Sequence, residues 1–415
     1  MEAAQSEDVR TSNATSIDDE VQGLPTNDGA RVRDGASRVL LIEEGWSQTL
    51  DVARALELRG YQVIVATAND LATRYRRRTV EWVAVDAVSS PRFLSQLESL
   101  LAATEIDHIV PLTEATMYRL WDARPPWRDR VFPRTSTWQQ SVLRDKHALI
   151  DHMAARGIAA PRQLRIDHDA TTPDALIVEL GVPLVIKEAT GAGGRRVKIV
   201  ESREQLTEVL ARIAQIGGSW AAQEFIAGNT YLVGGVFHQG RPLRLYAAEK
   251  LEQYPPRVGP AVRVRSLGDA DLLAVGRRVF AELGLTGFAS ADFMRRDDGS
   301  YVLLEVNPRP WGSIAAASSA GVDLFTPFCE LLSGTVPVAD LTFRAQDSCM
   351  IFPRYLLSSA YRTPSGIARV VRDLLGVQGR EWRNPRFLIH ILRRLRRVSP
   401  APIPLAGWSA SWSLE

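Results

Sequence analysis

The sequence predicts a parallel α/β domain followed by α+β lobes and a basic C-terminal extension, and three observations carry that prediction. An apolar run, a segment with helical spacing and a second apolar run succeed one another between Arg38 and Ala66, which is the pattern of a βαβ unit. Beyond about residue 160 the pattern changes to hairpin signals with helices between them. With 415 residues, 45% of them hydrophobic, the chain exceeds the size at which one core stops growing, so two or more domains are expected.

Residues 1–36 are rich in Ser, Thr, Asn, Asp and Glu and carry few large apolar side chains, too few to offset the entropy of ordering, so a disordered tail is expected. Val39 to Ile42 reads as a short buried strand. Thr49 to Arg59 has helical spacing ended by Gly60, and Tyr61 to Ala66 is the second strand. The loop after the first strand, Glu43 to Ser47, lacks the glycine pattern that lets a backbone approach a pyrophosphate, which argues against a dinucleotide site. His108 to Leu112 is a further strand of this domain. Asp145-Lys146 opens an amphipathic helix that ends near Gly157, and a new domain starts around Ala160-Pro161. After it, strands are expected near 183–189, 195–200, 286–294 and 301–307, with helices near 203–215 and 270–283.

Composition narrows the function classes. A net charge of +2 from 50 basic and 48 acidic residues provides no global attraction for nucleic acid. Cys329 and Cys349 offer neither a disulfide framework nor a zinc pattern, the six histidines show no metal spacing, and no signal-peptide-like or membrane-spanning run stands out. A cytoplasmic chain is expected. Four lysines stand among forty-six arginines. Where arginine supplies nearly every cation, a lysine marks places that need a compact point charge, such as the gap between phosphate oxygens.

The strongest local signal runs from Ala291 to Arg309. With Asp298-Gly299 as a two-residue hairpin turn, Asp292 falls directly opposite Glu305. Like charges so placed repel unless neutralised, and a divalent cation would neutralise them. Period-two alternation adds Asn307 and Arg309 to the face of Glu305 and sends Leu304 and Val306 to the other side. Oxygen-only ligands suit Mg²⁺ rather than zinc. For the acid pair alone, a solvent-facing hairpin with arginine partners is the better account; the alternating Asn307 and Arg309 reverse that balance.

Two weaker elements accompany it. A buried strand, Pro183 to Glu188, delivers Lys187 to a Gly-rich turn, Gly191 to Gly194, whose N–H groups could approach phosphate oxygens as a flap; an ordinary long turn is an equal reading. Trp220 to Gly228 has the form of an edge segment whose backbone could read an adenine, although taken alone it reads more readily as a buried connector.

Together these motifs resemble the ATP-grasp superfamily from about Arg38 to Leu332, and within it the carbamoyl-phosphate-synthetase-like carboxylate ligases of the predicted carboligase type. The resemblance implies a Rossmann-like pre-ATP-grasp domain over 37–140, a lid lobe with the Gly-rich flap over 141–228, a catalytic lobe over 229–335 and an extension over 336–415. By motif position, Lys146 in "RDKHALI" and Lys187 in "VIKEATGAGG" resemble the phosphate-binding lysines, with Gly193 and Gly194 in the flap. Gln223, Glu224, Phe225 and Ile226 resemble the adenine hinge, and Asp292, Glu305 and Asn307 the metal ligands. Arg309 in "NPRPWGS" resembles the arginine that holds the transferring group, and Lys250 is expected to face the substrate or the γ-phosphate.

Arg196 stands where the family often has glycine, and Asn229 or Thr230 where an acid commonly holds ribose. The implied activity is activation of a carboxylate by ATP as an acyl phosphate, which an amine intercepts, with one or two Mg²⁺ ions for which Mn²⁺ can substitute. The rivals are a biotin-independent carboxylase or carbamoyl-type ligase and a non-catalytic ATP-binding module. Small-molecule carboxylate and amine partners are expected, with no nucleic acid, and a homodimer is compatible with the resemblance. The basic amphipathic segment Phe387 to Arg397 reads either as packed on its own domain or as touching a membrane or an acidic carrier protein.

Overall fold

The computed structural model describes residues 36–43, 48–68, 80–190, 196–254, 256–342 and 349–350. The N-terminal tail, residues 44–47 after the first strand, the Gly-rich turn 191–194 and the segment Phe387 to Arg397 lie outside them.

The chain opens with β1 (Arg38–Glu43), α1 (Thr49–Glu57), β2 (Gln62–Thr67), β3 (Glu81–Ala84), α2 (Phe93–Ala103) and β4 (His108–Pro111). Their apolar runs make a four-stranded sheet of order β3-β2-β1-β4, with all pairings parallel. Val39 to Ile42 are fully buried, as expected of a strand covered on both faces. At the end of β4, Thr113 caps α3 (Glu114–Ala123) by accepting from Thr116 N–H.

Next come α4 (Thr137–Arg144) and α5 (Lys146–Ala155). The Asp145 carboxylate accepts from the N–H groups of His147 and Ala148 at 2.8 and 3.0 Å, so α5 starts sharply at Lys146. β5 (Gln163–Arg165), α6 (Pro173–Leu180), β6 (Leu184–Glu188), β7 (Val197–Val200), α7 (Arg203–Ile216) and β8 (Trp220–Glu224) follow, and their strands form an antiparallel sheet of order β5-β8-β6-β7. The helices cover one face of it through Leu176, Leu206, Val209 and Ile213.

A second antiparallel sheet holds β9 (Thr230–His238), β10 (Arg241–Gln253), β11 (Ala261–Ser266), β12 (Gly287–Arg295), β13 (Tyr301–Asn307) and β14 (Cys349–Met350), in the order β13-β12-β9-β10-β11-β14. α8 (Ala270–Leu283) packs Leu272, Val279, Phe280 and Leu283 on one face of this sheet, where Leu149, Ile150 and Met153 of α5 join it. α9 (Ala315–Ser319) and α10 (Phe325–Leu332) close the described part of the chain before β14. No described helix is long and apolar enough to cross a membrane.

Two expectations about the β12–β13 hairpin need correction. The ladder ends at Arg295 and Tyr301, and Arg296 N–H donates to the Ser300 carbonyl at 2.9 Å, so the turn is longer than Asp298-Gly299 alone. A bulge between Asp292 and Phe293 on one strand and Glu305 and Leu303 on the other then restores the register, and Asp292 does face Glu305. The extra residue is Leu304, so it lines the same cleft as Glu305 instead of pointing away; Val306 does join the core.

Candidate active site

A cleft of about 1110 Å³ opens between the two antiparallel sheets and reaches the end of β4. The sequence builds it by alternation: Ser290, Asp292 and Met294 of β12 face the cleft while Ala289, Ala291 and Phe293 enter the core.

Val185 of β6, Val197 and Ile199 of β7, and Ile226, Met294 and Leu304 supply the apolar part of the cleft lining, an apolar slot. β8 ends at Glu224, so the backbone of Phe225 and Ile226 leaves the ladder beside this slot. Such a slot accepts a flat ring, and the released backbone groups can read its edge. Of the four hinge candidates, Gln223 and Glu224 also hold the frame: Gln223 Nε2 donates to Gln163 Oε1 at 2.9 Å, and Glu224 pairs with Arg162 and Arg296.

Further along, the cations and acids expected from the sequence meet. Lys146 Nζ lies 2.8 Å from Glu305 Oε2, and Lys250 Nζ lies 2.5 Å from Asp292 Oδ2. Lys187 Nζ donates to the Leu304 carbonyl at 3.1 Å. Asn307 Nδ2 is 3.3 Å from Glu305 Oε1. The repulsion between Asp292 and Glu305 is thus relieved by two lysines, where the sequence alone suggested a metal ion. Burial opposes the ionised form of Glu305, but the charges of Lys146 and then Lys187 outweigh it and hold the carboxyl well below its usual range. Burial also dominates at Asp292, whose carboxyl is pushed up.

Asp292 Oδ1 is buried with no hydrogen-bond partner, and the donor set of two carboxylates and an amide is all oxygen and hard. These residues fit a divalent cation of the Mg²⁺ type. Among the described residues no cluster of three His, Cys, Asp or Glu side chains competes as a metal site.

Burial, and then the charge of Lys146, push Lys187 down to about 8 from its ordinary 10.5. A polyanion beside it would favour the ammonium, so triphosphate binding should take up a proton and weaken as pH rises through 8. More proton uptake per ATP is expected at pH 9 than at pH 7. Calorimetry in two buffers of different ionisation enthalpy reads this directly, and equal uptake at both pH values would place Lys187 away from the phosphates. The same depressed value means that stability contributed by this group rises between pH 8 and 10.5, where the unfolded chain binds more protons than the folded one.

The Arg309 side chain is 14% exposed and its Nη2 donates to Glu114 Oε1, a contact between the residues just past β13 and the helix that follows β4. Glu114 was not among the sequence candidates. It is 5% exposed and stands at the first position of α3, directly after its Thr113 cap. A cap followed at once by an acid after a buried strand was the available signal. Trp311 also lines the cleft; a Cβ added at Gly234 would come within 2.8 Å of its ring, so β9 needs glycine there to seat the indole.

Two residues that depart from the pattern of the resembled family have partners of their own. Arg196 adopts φ +62°, a left-handed conformation that favours glycine, and its Nη1 pairs with Glu188 at 2.8 Å. Asn229 Nδ2 donates to Glu249 Oε1 at 2.6 Å, and Arg265 also pairs with Glu249.

Residues 143–313 match the family model described as an ATP-grasp domain. The D-alanine–D-alanine ligase of Chromohalobacter salexigens is 26% identical over 209 residues, 46% of this chain and 65% of that enzyme. The chain therefore spans less than two thirds of that curated relative's length. Among solved structures, the L-amino acid ligase from Bacillus licheniformis superposes with a TM-score of 0.56 at 16% identity, covering 72% of this chain and 75% of that one. The N5-carboxyaminoimidazole synthetase from Staphylococcus aureus complexed with ADP gives 0.60 at 14% identity, covering 76% and 82%. These similarities in structure agree on the fold, and the chain carries an ATP-grasp domain over residues 143–313.

Proposed function

We propose that this protein is an ATP-dependent carboxylate–amine ligase, which activates an acid as an acyl phosphate and joins it to an amine with release of ADP and phosphate. The observation that carries the reading is one cleft lined together by an apolar slot and hinge, three buried lysines, an acid pair with an amide, and an arginine. The similar proteins named above as a D-alanine–D-alanine ligase and an L-amino acid ligase support an acid and an amine as the joined partners.

In this reading the slot and the backbone of Phe225 and Ile226 hold adenine. Lys146 and Lys187 offset phosphate charge. Asp292, Glu305 and Asn307 would hold Mg²⁺, which would supply charge neutralisation at the phosphate oxygens. Lys250 and Arg309 face the transferring group and the substrates, where donors fixed in a water-poor site stabilise developing negative charge. The parallel sheet over 37–140 is the Rossmann-like pre-ATP-grasp domain, 141–228 the lid lobe and 229–335 the catalytic lobe. α5, although within 141–228, packs on the sheet of the catalytic lobe and so carries Lys146 with it.

The test is ADP release with ATP, Mg²⁺ and a matrix of carboxylate and amine pairs. Release that depends on both an acid and an amine supports the ligase. ATP binding without release for any pair would point to the non-catalytic module.

A further inference from the structure

Two of the cleft's ion pairs join a group that the proposed function gives to phosphate with one that it gives to metal. Lys146 holds Glu305 at 2.8 Å, with side chains 10% and 24% exposed, and Lys250 holds Asp292 at 2.5 Å, with side chains 7% and 12% exposed. Each cation stands in for the divalent metal on its acid, and each acid stands in for phosphate on its lysine. Engaging only one member of such a pair leaves the other charge buried and alone, which is far costlier than losing an exposed contact.

A bare triphosphate would take the lysines and strand Glu305 and Asp292 beside its own negative charge. A bare divalent cation would take the acids and strand Lys146 and Lys250 near Lys187, whose ammonium is already disfavoured by burial and by Lys146. Cation and triphosphate together replace both halves of both pairs at once.

We propose that Lys146–Glu305 and Lys250–Asp292 are exchangeable pairs that make the cleft select the cation–triphosphate complex over either component alone. The inference rests on the ligase reading for the identity of the ligand, and it concerns binding rather than turnover. Linkage requires the effect to be reciprocal: the cation tightens the triphosphate by the factor by which the triphosphate tightens the cation. Arg309–Glu114 is a different kind of pair, because neither member is assigned to the metal.

Calorimetric titration of the full chain with ATP in EDTA, with MgCl₂ alone, and with both reads the coupling. Wild-type protein should bind Mg·ATP on the order of 100-fold more tightly than metal-free ATP. The decisive result is a change of sign. Glu305→Gln frees Lys146 and should bind metal-free ATP about tenfold more tightly than wild type, a gain typical of coupled sites, while binding Mg·ATP less tightly. Asp292→Asn should do the same through Lys250. Glu252→Gln removes the same formal charge from the cleft lining, where the partner is Arg263, and should leave metal-free ATP binding unchanged.

The inference is overturned if wild type binds Mg·ATP while neither variant binds metal-free ATP better than wild type does. It is equally overturned if Glu252→Gln improves that binding as much as they do, since bulk charge would then suffice. Thermal melts verify folding, and if one carboxamide variant does not fold, the other decides. Failure of wild-type protein to bind Mg·ATP at all would instead remove the ligase reading, and this inference with it.

Discussion

Replacing Arg309 by Ala is expected to lower ADP-forming turnover by on the order of 10² or more while ATP binding largely survives. The guanidinium lies at the end of β13, beyond Asn307, so its loss leaves the slot, the hinge and the lysines in place. The structure adds a complication that a loss of turnover alone would hide. Arg309 is the partner of buried Glu114, and removing one member of a buried pair costs on the order of 3–5 kcal/mol of stability.

The double variant Arg309→Ala with Glu114→Gln separates the two effects, because it removes the stranded charge as well. It should recover most of the melting temperature lost by Arg309→Ala and none of the turnover. Wild-type turnover in the single variant would count heavily against the assignment of Arg309. Recovery of turnover in the double variant would mean that Arg309 acts only by keeping Glu114 neutralised.

The parts of this site legible in the sequence are those whose signal is local. A buried strand that delivers Lys187, a capped helix that begins at Lys146 and an alternating Glu305-x-Asn307 pattern each follow from spacing alone, and each sits in the cleft. The facing of Asp292 and Glu305 was legible for a partly accidental reason. The turn is one position out of the simple two-residue register, and the bulge at Leu304 compensates it before the acids are reached.

What was not legible depends on tertiary contact. β9 and β10 are two of the longest strands in the sheet, yet Gly234-Gly235 lies in the middle of β9, and glycine weakens a strand signal. Both glycines answer to neighbours far away in sequence: a Cβ at Gly234 would meet Trp311, and one at Gly235 would lie 2.2 Å from the Arg244 carbonyl. Lys250 lies near the end of β10, and that strand, which the sequence did not announce, brings its ammonium against Asp292. Glu114 reaches the site across 195 positions of sequence, which no local pattern announces.

Replacing both Asp292 and Glu305 by Ala should abolish Mg-dependent ADP formation, a loss of at least 10³ or so if each carboxylate contributes as a fixed electrostatic group does. The alanine variant also strands Lys146 and Lys250, so part of its loss would come from unpaired buried cations. Asn at 292 and Gln at 305 keep size and hydrogen-bonding capacity and remove only the negative charge. That variant should therefore fold, retain the apolar slot, and still fail to form ADP at saturating Mg²⁺. The comparison of the two variants matters because the lysines are partners of the acids in the free protein and, in the proposed function, partners of phosphate in the loaded one. If only the alanine variant were inactive, the acids would serve to hold the lysines in place. If both formed ADP at unchanged rates, the metal would have to be held elsewhere in the cleft, and Asp292 and Glu305 would be framework residues of the hairpin.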